Sequence, residues 1–151
     1  MQSGTITITP DQATCYLNMG SALKMLNHYS DSRTMFEKAL NIREQLYGLR
    51  SSSTAQVLVL IGSVIMEQKQ FKKAEDYIIS ALEIYEETQN QLLEERRKLK
   101  NEKKKGLDSA IESELKLNLI EIAQAYTYLG LIKLNQGNFN FFLFYFFFLI
   151  Q

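Results

Sequence analysis

The residue types on which metal chemistry, disulfides and compact β folds depend are nearly missing from this chain. In 151 residues there is one cysteine, Cys15, one histidine, His28, one proline and no tryptophan. One cysteine excludes an intramolecular disulfide, and with one histidine it leaves no cluster for a Cys/His metal site. No cation stands beside Cys15 in sequence to stabilise a thiolate, so it is expected to be a small core residue. A single proline and few glycine-rich spots argue against a many-stranded β fold. An excess of charge is absent too: Lys+Arg and Asp+Glu are both 17, so no global field draws the chain to nucleic acid or membrane. There is no Ser/His/Asp arrangement and no phosphate-cradling glycine loop, and the carboxylates are scattered along the chain. The expectation is a non-catalytic protein with no cofactor. His28 is read as a turn residue. MQSGTITITP has neither a basic nor an apolar signal region, so a cytoplasmic location is expected.

What is present is helical. With 46% apolar and 23% charged residues the composition is that of one globular domain. Residues 1–8 alternate Thr and Ile without a partner strand and are expected to be an unstructured lead-in. Thr9-Pro10-Asp11-Gln12 then combines a capping residue, a proline preset for the first helical position, an acid at the positive end of the dipole and a glutamine completing a capping box. A helix from there stops around Asn27-His28. A second, from about Ser30, carries Phe36, Ala39 and Leu40 and ends at Gly48. From Ala55, Leu58, Ile61 and Ile65 share one helical face; the pattern breaks near Gln70 and resumes with Ala74, Ile78, Ala81, Leu82 and Tyr85. Neither of these two helices reads as apolar enough to be buried all round, so the pair needs neighbours.

The neighbours are repeats. Ala13 and Ala55, Gly20 and Gly62, Tyr29 and Phe71, Ala39 and Ala81, and Leu40 and Leu82 all stand 42 residues apart. A third first-helix carries Ala123, Tyr126, Leu129 and Gly130, followed by Phe139. Gly62 to Gly130 and Phe71 to Phe139 both span 68, which is 42 plus 26. Small or aromatic residues at places 4, 8, 11, 20, 24 and 27 of a helix-turn-helix unit resemble the tetratricopeptide repeat. The first copy has Tyr16, Gly20, Leu23, Ser32, Phe36 and Ala39 there, the second Leu58, Gly62, Ile65, Ala74, Ile78 and Ala81. The 42-residue period and the tails ALNIREQLYG and ALEIYEE are similar to the repeats of kinesin light chain. The resemblance implies an all-α superhelix of hairpins over residues 9–139, with repeat one at 13–48, repeat two at 55–87 and a partial repeat three at 116–139.

The extra 26 residues fall between Thr88 and about Leu115 and are rich in helix formers. They are expected to form an extended antiparallel hairpin, 88–115, inserted before the third repeat and adding ~20 Å to each of two helices. Gly106 is expected to end the incoming helix, and Asp108 or Ser109 to cap the outgoing one. Leu92, Leu99, Ile111 and Leu115 are placed to zip it. From Glu94 to Lys105 there are seven basic and three acidic residues, including Arg96, Arg97, Lys98, Lys103, Lys104 and Lys105. That stretch is either a contact for nucleic acid, acidic protein tails or a lipid surface, or a solvated hairpin kept soluble by its charge. No aromatic is interleaved to stack bases, so nucleic acid is not the expected partner.

Residues 140–151 break the repeat, because Phe142 falls where close helix approach demands a small residue. Three readings stay open: translated non-coding sequence beyond a missed splice site, since these residue types have A/T-rich codons; a closing buried helix; or a membrane-dipping tail. Phe141 to Ile150 is too short to span a bilayer.

The resemblance implies a protein–protein interaction scaffold that takes a peptide or partner helix in the groove lined by first helices. The positions it assigns to the groove are Thr14, Leu17, Asn18, Ser21 and Lys24; Gln56, Val59, Leu60, Ser63 and Met66; and Gln124, Thr127, Tyr128, Leu131 and Leu134. Paired asparagines in YNNLG are common in kinesin light chain-like repeats; here YLNMG keeps Asn18, and the third copy reads YTYLG. An adaptor acting through the basic hairpin, 94–105, is the alternative. Two and a half repeats fall short of the three or so that such arrays need, so the chain is expected to be part of a longer array or to lean on a partner. The isolated 151-residue chain should therefore melt broadly and at modest temperature by circular dichroism. A cooperative, high-temperature transition of a species shown by ultracentrifugation to be monomeric would contradict this.

Overall fold

In the computed structural model, residues 8–101 and 105–138 are described, so most of the lead-in and the whole aromatic tail lie outside the described residues. Five helices follow in order: α1 (Pro10–Met25), α2 (Tyr29–Tyr47), α3 (Ser52–Glu67), α4 (Phe71–Asn101) and α5 (Lys105–Asn135). The capping box forms as read: Thr9 N donates to Gln12 Oε1 at 3.1 Å, and Gln12 N to Thr9 Oγ1 at 3.4 Å. Helix α2 ends at Gly48, whose φ of 89° favours glycine. Helix α3 begins three residues before Ala55. Ser51 caps it by accepting from Thr54 N at 3.1 Å, while Thr54 Oγ1 donates to the Gly48 carbonyl at 2.7 Å and ties the loop down.

The three first helices end in one shared turn. His28 N, Gln70 N and Asn138 N reach back five residues to the carbonyls of Leu23, Ile65 and Lys133, and the residues before them, Asn27, Lys69 and Gly137, have φ of 61°, 60° and 79°. This left-handed C-terminal cap reverses the chain within a few residues, so α2 lies back on α1 and α4 on α3. The turns recur at the intervals of 42 and 68 that separate the glycines.

Within each of the first two pairs a glycine lets the helices close. A methyl group built on Gly20 would stand 2.6 Å from the Phe36 ring, and one built on Gly62 would stand 2.8 Å from Ile78 Cδ1. Ser32 Oγ uses the close approach to donate to the Gly20 carbonyl at 2.7 Å, fully buried. Phe36, Ala39, Ile61, Ile65, Ala74, Ile78, Ala81 and Tyr85 form one core with Ala125, Leu129 and Ile132 of α5.

Three expectations need correction. Helix α3 is buried nearly all round, with Val57, Val59, Ile61, Val64 and Ile65 on different faces, because α2, α4 and α5 all pack on it. Cys15 is exposed, because α1 is covered by α2 on one side only and Cys15 turns away from it. Gly106, Asp108 and Ser109 lie inside α5, which already runs from Lys105. One glycine costs about 1 kcal/mol in a helix, and the packing of α5 on α4 outweighs it.

Helices α4 and α5 are 31 residues each, about twice the length of α1 and α3. Contacts between them run in opposite directions: Glu75 with Lys133, Glu86 with Tyr126, and Arg96 with Glu112. Beyond the main core Leu92, Leu99, Ile111 and Leu115 bury one another as a separate cluster. Each such side chain contributes about 1.5–3 kcal/mol when fully buried.

The two glycine crossings differ in what must give way. Gly20→Ala should destabilise the chain by about 1–2 kcal/mol in urea melts, since the stiff Phe36 ring blocks the new methyl and outweighs the helix-propensity gain. Gly62→Ala should cost less than Gly20→Ala, because the nearest atom, Ile78 Cδ1, ends its side chain, although Ile78 Cγ1 at 3.1 Å and the Ala74 carbonyl at 3.3 Å must also give a little. Phe36→Leu should recover part of the loss in the Gly20→Ala background, and equal effects at the two glycines would count against this account.

Candidate functional site

Lys24 near the end of α1, Ser63 in the middle of α3 and Tyr128 in α5 meet at one point. Lys24 Nζ donates to Ser63 Oγ at 2.8 Å and lies 5.6 Å above the centre of the Tyr128 ring. Ser63 Oγ in turn donates to the Leu60 carbonyl at 2.7 Å, so its hydroxyl is fully used. The ammonium group is thus shared between a hydroxyl and an aromatic face, two partners that suit a partly desolvated cation. Burial lowers the Lys24 pKa, while the charge of Glu67 acts the other way. A cavity of about 480 Å³ adjoins this point, lined by Ser21, Lys24, Met25, Tyr29, Leu60 and Glu67 among others.

Of the groove positions read from the sequence, Ser21, Lys24 and Leu60 line this cavity. Thr14, Asn18, Ser21, Gln56, Gln124, Thr127 and Leu131 are exposed; Leu17, Leu60, Met66 and Tyr128 are half-buried against the core, and Leu134 is half-buried. Val59 and Ser63 are corrections: at 4% and 0% exposure they belong to the interior, because α5 closes over the flank of α3. Leu117 and Ile120 of α5 extend the open apolar surface, at 57% and 65% exposure.

The basic stretch is less bare than its composition. Arg96 lies 3.7 Å from Glu112 and Arg97 pairs with Glu94, so interleaved acids take up two of its charges, while Lys98 is exposed. Lys103 and Lys104 lie outside the described residues, as does the side chain of Lys105. His28 sits in the α1–α2 turn as read, 3.8 Å from Asp31.

Three polar residues went unnoticed in the sequence. Glu75 is buried on α4, where Lys133 Nζ reaches its Oε1 at 2.5 Å and Gln136 Nε2 its Oε2 at 3.5 Å. Burial acts to raise the Glu75 pKa, but the hydrogen bond and charge of Lys133 overcome it and hold the carboxyl below its ordinary value. Asn118, 3% exposed, donates from Nδ2 to the Tyr85 carbonyl at 2.9 Å. Glu121, half-buried on α5, has its pKa raised by burial, and its charge adds to the burial that pushes the Tyr85 phenol upward. Helical period alone marks none of these as distinct from surface residues. Among the described residues no group of three or more His, Cys, Asp or Glu is placed to hold a metal, and no helix is long and apolar enough to cross a membrane.

Residues 12–52 match the tetratricopeptide repeat family, and they span α1, α2 and the first turn. That segment of the chain is a tetratricopeptide repeat. Tetratricopeptide repeats are typically non-catalytic modules for protein–protein contact. Clustered mitochondria protein homologs from Emericella nidulans and Aspergillus niger are each 33% identical to it over 76 residues. That stretch is 50% of this chain and 6% of each homolog, so the chain spans a small part of the curated relatives it matches. The crystal structure of BtubC (BKLC) from P. vanneervenii is similar at 14% identity and a TM-score of 0.49, over 92% of this chain and 62% of that one.

Glu121 supplies a pH test. Its folded pKa is raised, so its penalty is absent below the unfolded value of about 4.3 and grows as pH rises through the folded value. Glu121→Gln should therefore melt at a higher temperature than the parent at pH 7, with the difference closing as pH falls toward about 4. A difference that is constant with pH would assign the effect to shape instead of charge.

Proposed function

We propose that this tetratricopeptide-repeat chain is a non-catalytic, cytoplasmic interaction scaffold that holds a peptide or partner helix in a concave groove formed by α1, α3 and α5. The observation that carries this reading is the convergence of Lys24, Ser63 and Tyr128. Lys24 of α1 reaches the interior Ser63 of α3 and lies over Tyr128 of α5, a contact that ties the three first helices together. The surface of these helices offers what peptide grooves use: exposed amides at Asn18, Gln56 and Gln124 for main-chain hydrogen bonds, and apolar Leu117, Ile120 and Leu131 for side chains. We read the distal part of α4 and the proximal part of α5 as a 26-residue hairpin inserted into the array, held by its own leucine cluster. Partial repeat three, 116–139, then supplies the third wall, in line with the shared turn at Gly137.

Substitution separates the groove from the basic hairpin. Asn18→Trp, Gln56→Trp and Thr127→Trp together should cut partner capture at least tenfold, with circular dichroism unchanged because all three positions are exposed. Charge reversal at Arg96, Arg97, Lys103 and Lys104 should leave capture intact. Loss of capture with the second set and not the first would transfer the function to the hairpin.

A further inference from the structure

The start of α3 and the middle of α5 enclose a small cleft that the groove reading does not use. Its volume is about 150 Å³, room for the head of one side chain but not for a stretch of backbone. The lining is rich in acceptors and holds no cation: Gln56 and Ser52 from α3, and Glu114, Asn118 and Glu121 from α5, with Leu117 at the rim. Among the described residues neither Glu114 nor Glu121 has an ion-pair partner. The chain's own Arg50, just before α3, is engaged by Glu87 at 2.6 Å, and Lys116 faces Glu112 at 3.5 Å.

Asn118 points to what the cleft takes. It is 3% exposed, and Nδ2 donates one hydrogen bond to the Tyr85 carbonyl. Its amide oxygen is buried and accepts no hydrogen bond within the protein. Buried polar groups are satisfied in the great majority of cases, so an orphan acceptor beside two unpaired carboxylates calls for a donor that also carries positive charge.

We propose that the cleft is a subsite for an arginine side chain of the polypeptide bound in the groove. A guanidinium group matches it better than an ammonium group. Its planar fork presents donors in several directions at once, toward the carboxylates and the amide oxygens together, and its weaker hydration lowers the cost of entering a narrow cleft. The aliphatic stem would lie over Leu117, which is largely exposed. The proposal rests on the groove reading, because Gln56 belongs to both and the cleft is continuous with that surface through it. Burial holds the Glu121 pKa up, and an entering cation would reverse that shift.

The test uses the full chain, labelled with ¹⁵N, and acetyl-arginine amide as the probe, with acetyl-citrulline amide as its uncharged isostere. The side-chain amide signals of Asn118 and Gln56 should shift and saturate with the arginine compound, with at least tenfold weaker response to citrulline. Glu121→Gln, a substitution that relieves a buried charge and so keeps the fold, should weaken the arginine response at least tenfold, and Glu114→Gln should weaken it less. Equal responses to the two compounds, or an arginine response untouched by Glu121→Gln, would overturn the assignment. The tryptophan set at Asn18, Gln56 and Thr127 reads the groove separately. Capture of a partner with no arginine response removes the subsite alone, whereas loss of the groove reading leaves the isolated arginine response standing as a measurement on the cleft.

Discussion

Ile78 rests on Gly62 as the ring of Phe36 rests on Gly20, and the positions of the other helices follow from those two crossings. Without a Cβ at the crossing point, a large side chain from the second helix can lie directly on the backbone of the first. The pair then closes far enough for Ser32 to reach a backbone carbonyl and for Ala74 and Ala81 to be fully buried. A pair closed in this way is a rigid plate whose outer face is set in angle, and the next plate can dock on it only in the register its large residues allow. Helix α3 takes the middle place because it has neighbours on all sides, and its Val, Ile and small residues fit that position.

Local chemistry was legible in the sequence because it is written in neighbouring residues. Thr9 and Gln12 sit three apart and form the capping box; the turns at Asn27, Lys69 and Gly137 fall where the apolar stripes break. The 42-residue register carried the pairing of Gly20 with Phe36 and of Gly62 with Ile78, since each contact lies within one repeat. Leu92, Leu99, Ile111 and Leu115 could be matched because two long antiparallel helices close in sequence have few registers to choose from. What stayed hidden depends on elements far apart in the chain. Ser63 reads as an exposed polar residue until Lys24, 39 residues earlier, reaches it and α5 closes the flank. Cys15 reads as core until α1 proves to be covered on one side. Gly106 reads as a helix end until the packing of the long pair overrides its weak local preference. Asn118 and Glu121 look like ordinary surface residues of a helix, and their burial comes from contact with α3 and α4.

The proposed groove has two electrically different places, and their spacing bears on how a bound chain would orient. On α3, Ser63 marks the one where Lys24 lies, and Gln56, seven residues earlier, marks the other, where Glu114 and Glu121 lie unpaired. Seven residues of helix separate them by about 10 Å. At that distance two exposed charges in salt interact weakly, but the Glu121 carboxylate and the Lys24 ammonium group are partly buried and are screened less. The two places are also unequal. Lys24 is already held by Ser63 and Tyr128 and opposed by Glu67, so its charge serves mainly to fix the three helices. Glu121 has no such partner among the described residues, and burial alone raises its pKa. Charge placed this way contributes more to orientation and choice of partner than to affinity. A polypeptide that entered the proposed groove with its basic residue toward Lys24 would meet repulsion there and leave the acidic cleft unfilled, whereas the reverse direction would compensate the half-buried charge of Glu121.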